Sequence, residues 1–182
     1  MATRKAVLAG GCFWCTEAIY KRLRGVVSVL PGYTGGTIEH PTYEQVSTGT
    51  TGHAEAILIE YDPALIPYEK LLVIFFHTHN PTTPNQQGAD VGTQYRSAVF
   101  YGDDVEKEIA ERVIRTIEQE KVYPDPIVTE LTPFTHFYPA ENYHQDYYDR
   151  NRDQGYCHIV IGPKITKLMK DYAADVKDEF KK

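Results

Sequence analysis

The sequence predicts an α/β (α+β) fold, a two-layer sandwich with a mixed sheet. Short apolar runs of strand character alternate with segments whose apolar residues recur at helical spacing. Some strand-like runs follow one another through loops alone, so strands and helices do not alternate strictly. The 182 residues, 42% apolar and 24% charged, suffice for one well-buried core over residues 1–182 and exclude disorder and coiled coil.

Lys5 to Ala9 reads as a short buried strand broken by Gly10-Gly11, and a helix follows in which Cys15, Ala18, Ile19 and Leu23 share a face. Residues 26–30 form a strand ended by Pro31-Gly32, and residues 54–61 alternate as another. After the Asp62-Pro63 turn, Tyr68 to His77 carries a helical apolar stripe. His79 to Gln94 has no periodicity and reads as a long functional loop. Ser97 to Tyr101 is a strand. Asp103 caps a helix with Glu106 three residues on, and Val105, Ile109, Val113 and Ile117 are its expected buried face. Ile127 to Leu131 is a further strand, and a last helix from Pro163 is expected to bury Ile165, Leu168, Met169, Tyr172, Val176 and Phe180. The order suits a ferredoxin-like core elaborated by long loops.

The net charge of −6, with no basic cluster, argues against nucleic acid as a partner. Ala6 to Ala9 is too short for a signal segment, and no run approaches a membrane span, so no membrane partner is expected. Three cysteines give no even disulfide framework, which makes the cytoplasm the expected compartment and a monomer the expected state. The two methionines, Met1 and Met169, are few for this length and suit a protein working among oxidants.

Cys12 follows a strand and a Gly-Gly turn and falls at a helix start, where backbone N–H groups and the helix dipole favour thiolate. A buried structural cysteine is the alternative, and the two glycines, which let other atoms approach the sulfur, weigh against it. With Cys15 it forms C-x-x-C, a redox pair or half a zinc site. Zinc would need Cys157 and His158, adjacent residues that rarely turn to one metal, so no metal is expected. His53-Ala-Glu55 matches the H-x-E of nucleobase deaminases, but there C-x-x-C comes after H-x-E, not before it. Phe13 and the single tryptophan, Trp14, offer an aromatic wall suited to a methyl group on a substrate sulfur.

Gly10-Gly11-Cys12-Phe13-Trp14, Gly32-Tyr33-Thr34-Gly35-Gly36, Gly52-His53-Ala54-Glu55 and Gly92-Thr93-Gln94-Tyr95-Arg96-Ser97 together resemble the A class of peptide methionine sulfoxide reductases. His144-Gln145-Asp146-Tyr147 and Gly155-Tyr156-Cys157 extend the resemblance to about residue 160. It implies that Cys12 attacks the sulfoxide sulfur and that Glu55 protonates the departing oxygen. A half-buried strand glutamate beside aromatics should hold its proton near neutral pH, although a solvated strand residue is the plain alternative. Tyr33 and Tyr95 would hydrogen-bond the oxygen. Asp90 would act through water or hold its loop, or else simply cap a turn. His53 reads as structural.

The resemblance further implies a sulfenic acid on Cys12, resolved by Cys157 to a Cys12–Cys157 disulfide that thioredoxin reduces, with no cofactor. Cys157 lies in the polar stretch DRNRDQGYC, expected to be mobile. Cys15, where many relatives have glycine, is a possible competitor, although the helix direction is expected to turn it away from Cys12. The implied substrate is the S epimer of methionine sulfoxide, free or in protein. A sulfoxide-binding module without turnover and a zinc-binding structural domain are the rival readings.

Overall fold

The computed structural model describes residues 2–181. Its elements, in chain order, are β1 (Arg4–Gly10), α1 (Phe13–Lys21), β2 (Val26–Thr34), α2 (Tyr43–Ser47), β3 (Ala54–Tyr61), α3 (Tyr68–Thr78), the short hairpin strands β4 (Gln86–Gln87) and β5 (Asp90–Val91), β6 (Ser97–Tyr101), α4 (Asp104–Gln119), β7 (Glu130–Pro133), β8 (Phe137–Pro139), α5 (Tyr147–Arg150) and α6 (Gly162–Asp171). The main sheet has the order β7-β6-β1-β3-β2-β8. Only β6 and β7 pair in parallel, so the sheet is mixed. Its centre, β1-α1-β2-β3-α3-β6 in the order β6-β1-β3-β2, is the expected ferredoxin-like unit.

Strand alternation divides the core between the two faces. Ala6, Leu8, Ile57, Ile59 and Val99 pack with Ile19, Tyr20, Leu71, Leu72, Phe75 and Phe76 of the helices. Val7, Ala9, Ala54, Ala56, Ala98 and Phe100 form a smaller cluster on the other face. Glu55 has the parity of Ile57 and Ile59, which puts a carboxyl on the helix-covered side.

Several expectations need correction. β2 does not end at Pro31-Gly32 but runs on to Thr34. Pro31 lies just outside the stretch that pairs with β8, where its missing N–H breaks no ladder, and its carbonyl accepts from Ala140 N–H at 2.9 Å. A side chain at Gly32 would meet the Phe137 ring at 2.5 Å, so only glycine lets β8 cross there. The strand expected at 127–131 forms later, at 130–133, because Val128 N–H bonds Pro81 in the preceding loop instead. Val105 is 60% exposed, and Glu106 takes the inward place, accepting from Gly102 N–H at 2.8 Å while Asp103 caps Glu106 N–H at 2.8 Å. α6 stops at Asp171, and Val176 and Phe180 are buried or half-buried beyond it, in 3₁₀ turns. There the chain also bonds to the backbone of residues 22 and 24, and Val176 bridges to Leu23.

Residues 149–157 are not a free strap. Asp149 takes Arg22 at 2.6 Å and Arg152 at 2.7 Å, and Cys157, itself fully buried, opens a π-helical turn, Cys157–Ile161. Charge pairing within the polar stretch fixes what its composition alone left open.

Candidate active site

Cys12 caps α1 and is 7% exposed. Gly11 before it has φ +91°, and a Cβ there would lie 2.6 Å from Gln87, so the glycine admits the β4-β5 loop against the turn. A Cβ at Gly10 would strike Phe75 at 2.8 Å and His79 at 3.3 Å. The two glycines thus seat the protein's own residues beneath the cysteine turn.

The first free N–H of α1, at Phe13, donates to Glu55 Oε2 at 3.1 Å. β3 thereby delivers its carboxyl to the helix start that holds Cys12. Glu55 is 2% exposed, more deeply buried than its sequence suggested. Burial pushes its carboxyl up to about 8 against the opposing Phe13 N–H bond, and the charges of Asp90 and Cys15 add to the rise. With Oε2 accepting, Oε1 is left to carry the proton.

The helix start does not by itself make Cys12 a thiolate. Burial raises its thiol well above the usual range, and a hydrogen bond with Cys15 and the Glu55 charge raise it further. Cys15 does not turn away from Cys12 either. The two side chains pack in one buried cluster at the start of α1. The Cys12 thiol bonds Cys15 and draws it down to about 7 despite burial, helped by Lys164 and the Tyr156 hydroxyl. All three cysteines are free thiols, and Cys12, Cys15, Cys157, Ala18 and Ile161 pack as one cluster. Burial, and then the Cys15 charge, raise the Cys157 thiol.

Tyr33 is correctly placed opposite Glu55 in the sheet, but its hydroxyl donates to Glu141 at 3.0 Å and its side chain is fully buried. It is not free to meet a substrate. Tyr43, which the sequence reading did not single out, faces the groups expected of Tyr33. It is half-buried, and burial together with the charges of Glu55, Cys12 and Asp90 raises its phenol. Tyr95, packed against the cysteine cluster, is raised by burial and by Glu55, Tyr43, Cys12 and Asp90. The sequence signal for Tyr43 was Thr-x-x-Gln at residues 42–45, a capping box that opens α2 on this tyrosine.

Asp90 accepts the Tyr156 hydroxyl at 2.6 Å, and that hydroxyl lies 3.9 Å from Cys15 Sγ. Trp14 stacks on Tyr147 at 3.7 Å and 6°, and its Nε1 donates to His144 Nδ1 at 3.0 Å. Phe13 is 1% exposed and underlies the site against Tyr33 and His144, so Trp14 is the accessible part of the expected wall. His53 accepts from Gly36 N–H at 3.1 Å and meets Ile38 O at 2.7 Å, holding a turn. Among the described residues, no three His, Cys, Asp or Glu side chains gather as a metal site, and no helix is long and apolar enough to cross a membrane.

The sequence profile of the family "Peptide methionine sulfoxide reductase" matches residues 4–177. Proteins described as peptide methionine sulfoxide reductase MsrA from Sulfolobus acidocaldarius and from Thermus thermophilus are each 54% identical over 167 residues, covering 92% of this chain and 94% of theirs. Among solved structures, reduced Mxr1 from Saccharomyces cerevisiae is similar with a TM-score of 0.78 at 34% identity, covering 85% of this chain and 89% of its own. Methionine sulfoxide reductase A of Corynebacterium diphtheriae gives 0.73 at 31% identity, covering 82% of this chain and 76% of its own. Mxr1 in complex with Trx2 shares the fold with a TM-score of 0.55 at 24% identity. With a profile match across nearly the whole chain and relatives of this identity, the chain belongs to the peptide methionine sulfoxide reductase family.

Proposed function

We propose that the chain is a single-domain, cofactor-free peptide-methionine (S)-S-oxide reductase that uses Cys12 as nucleophile and thioredoxin as final reductant. The observation that carries the reading is the bond from the first N–H of α1 to Glu55, which joins a protonated buried acid to the helix start occupied by a sulfur nucleophile. Cys12 attacks the electrophilic sulfur while its proton passes to the Cys15 thiolate. Glu55 protonates the oxygen, and the hydroxyls of Tyr43 and Tyr95 stabilise the charge growing there. The protonated oxygen passes from the substrate sulfur to Cys12 Sγ as the transient Cys12–sulfur bond breaks, so methionine leaves and Cys12 keeps the oxygen as sulfenic acid. Trp14 forms the wall beside the substrate methyl group.

Resolution begins in this reading at Cys15. Its sulfur is already in contact with Cys12, and condensation of the sulfenic acid with it forms a Cys12–Cys15 disulfide and releases water. Cys157 then attacks Cys15, giving a Cys15–Cys157 disulfide and a free Cys12 thiol. A direct Cys12–Cys157 bond, the expectation from sequence, would have to bypass the sulfur that meets Cys12. A dithiol reductant of the thioredoxin class returns the enzyme to its starting state, in keeping with the Trx2 complex of Mxr1. The reaction suits a reducing compartment such as the cytoplasm. Reduction of resolved sulfoxide epimers with dithiothreitol, followed by mass mapping of disulfides, tests the reading. Multiple turnover of the S epimer supports it, and stoichiometric consumption alone refutes it.

A further inference from the structure

Glu17 is a buried carboxyl that the proposed chemistry does not use. It lies on α1 one turn beyond Phe13 and is 3% exposed. Burial pushes it up to about 7. Its partner is a backbone group: Oε1 accepts Asp146 N–H at 2.9 Å. Asp146 holds φ +56°, a left-handed conformation that costs a side-chain-bearing residue energy. A buried carboxylate accepting from a strained turn fixes that turn more firmly than packing alone, because losing the bond leaves the buried carboxylate without its backbone donor.

What the turn carries is the support of Trp14. His144 accepts the indole N–H at 3.0 Å, and Tyr147 lies flat on the ring at 3.7 Å. Both supports belong to residues 144–147, and Glu17 ties that segment to the helix bearing Cys12 and Trp14. Resting on Trp14 as the substrate wall, we propose that Glu17 is a positioning residue that sets the Trp14 ring through the Asp146–Tyr147 backbone. Glu17 then governs how well the sulfoxide is held while leaving the bond-making groups untouched.

In Glu17→Gln the bond from Asp146 N–H loses its charged acceptor, and the second oxygen is replaced by a donor. Trp14 is the only tryptophan, so its emission and near-ultraviolet dichroism report the ring directly. The expected result is a changed Trp14 signal with KM for methionine sulfoxide raised about 10- to 100-fold, the scale of a misplacement away from the chemistry, and the saturated single-turnover rate nearly retained. Tyr147→Ala should reproduce both effects on native Glu17, and the double variant should be no worse than either single one. An unmoved Trp14 signal in folded Glu17→Gln, or additive effects in the double variant, overturns the inference. If Glu17→Gln does not fold, unchanged signal and KM in Tyr147→Ala overturn it alone. A moved signal with unchanged KM refutes Trp14 as the substrate wall, and with it the function proposed for Glu17.

Discussion

Glu55→Gln separates two consequences of burying an acid beside a nucleophile. The carboxyl is held at about 8 against an ordinary value of 4.5. The folded state therefore binds this proton more tightly than the unfolded chain, and stability falls as pH rises from about 4.5 through about 8. At roughly 1.4 kcal/mol per pKa unit, the ionised carboxylate costs the fold up to about 5 kcal/mol above pH 8. Glutamine cannot ionise and keeps an acceptor for Phe13 N–H, so the variant should lose this part of the alkaline destabilisation. Urea denaturation under reducing conditions at pH 5 and pH 9 measures it, and comparing the two pH values cancels any packing cost of the amide. Wild type should lose several kcal/mol more than the variant between them. In the same variant, single-turnover methionine formation should fall by about 10²–10⁴, the span of a positioned general acid. Equal pH dependence in the two proteins would show that Glu55 is not a buried acid, and an undiminished rate would move the proton source elsewhere, to Tyr43 and Tyr95 first.

Cys12→Ser should abolish reduction, because serine offers no comparable nucleophile near neutral pH, and measurable turnover with dithiothreitol would end that assignment. Tyr43→Phe should slow single-turnover reduction by about 10- to 1,000-fold, the scale of one lost oxyanion donor at its upper end, whereas Tyr33→Phe should change it little; the reverse ranking would restore Tyr33. The rate should rise with pH as Cys15 ionises near 7 and fall as Glu55 ionises near 8, giving a bell whose alkaline limb disappears in Glu55→Gln. Cys157→Ser should release one methionine per enzyme and stop at a Cys12–Cys15 disulfide, detected by mass mapping; a persistent Cys12 sulfenic acid would remove Cys15 from the resolving path.

Strand and helix periods made the central sheet legible, together with the places of Cys12 at a helix start and Glu55 on a strand. Those features depend on residues close in sequence. The identity of the second tyrosine did not, because Glu141 claims the Tyr33 hydroxyl from more than a hundred residues away and so leaves the site to Tyr43. The order of residues 137–150 was equally hidden. Gln145 reaches Pro31 O at 3.2 Å and Asp146 reaches Glu17, long-range bonds that leave no local pattern.

The sealed state of the cysteine pair bears on how a repair enzyme survives the conditions that create its work. Peroxide attacks accessible thiolates, and here Cys12, the proposed nucleophile, is only 7% exposed with its thiol pushed well up by burial, while Cys15 is 2% exposed. Reactivity is released when a sulfoxide arrives to take the Glu55 proton, so the resting enzyme should resist the oxidant and still respond to its damage. Loss of free Cys12 in dilute hydrogen peroxide should accordingly be slower than for free cysteine at the same pH. With only two methionines in its chain, the enzyme also offers little of its own substrate to be damaged.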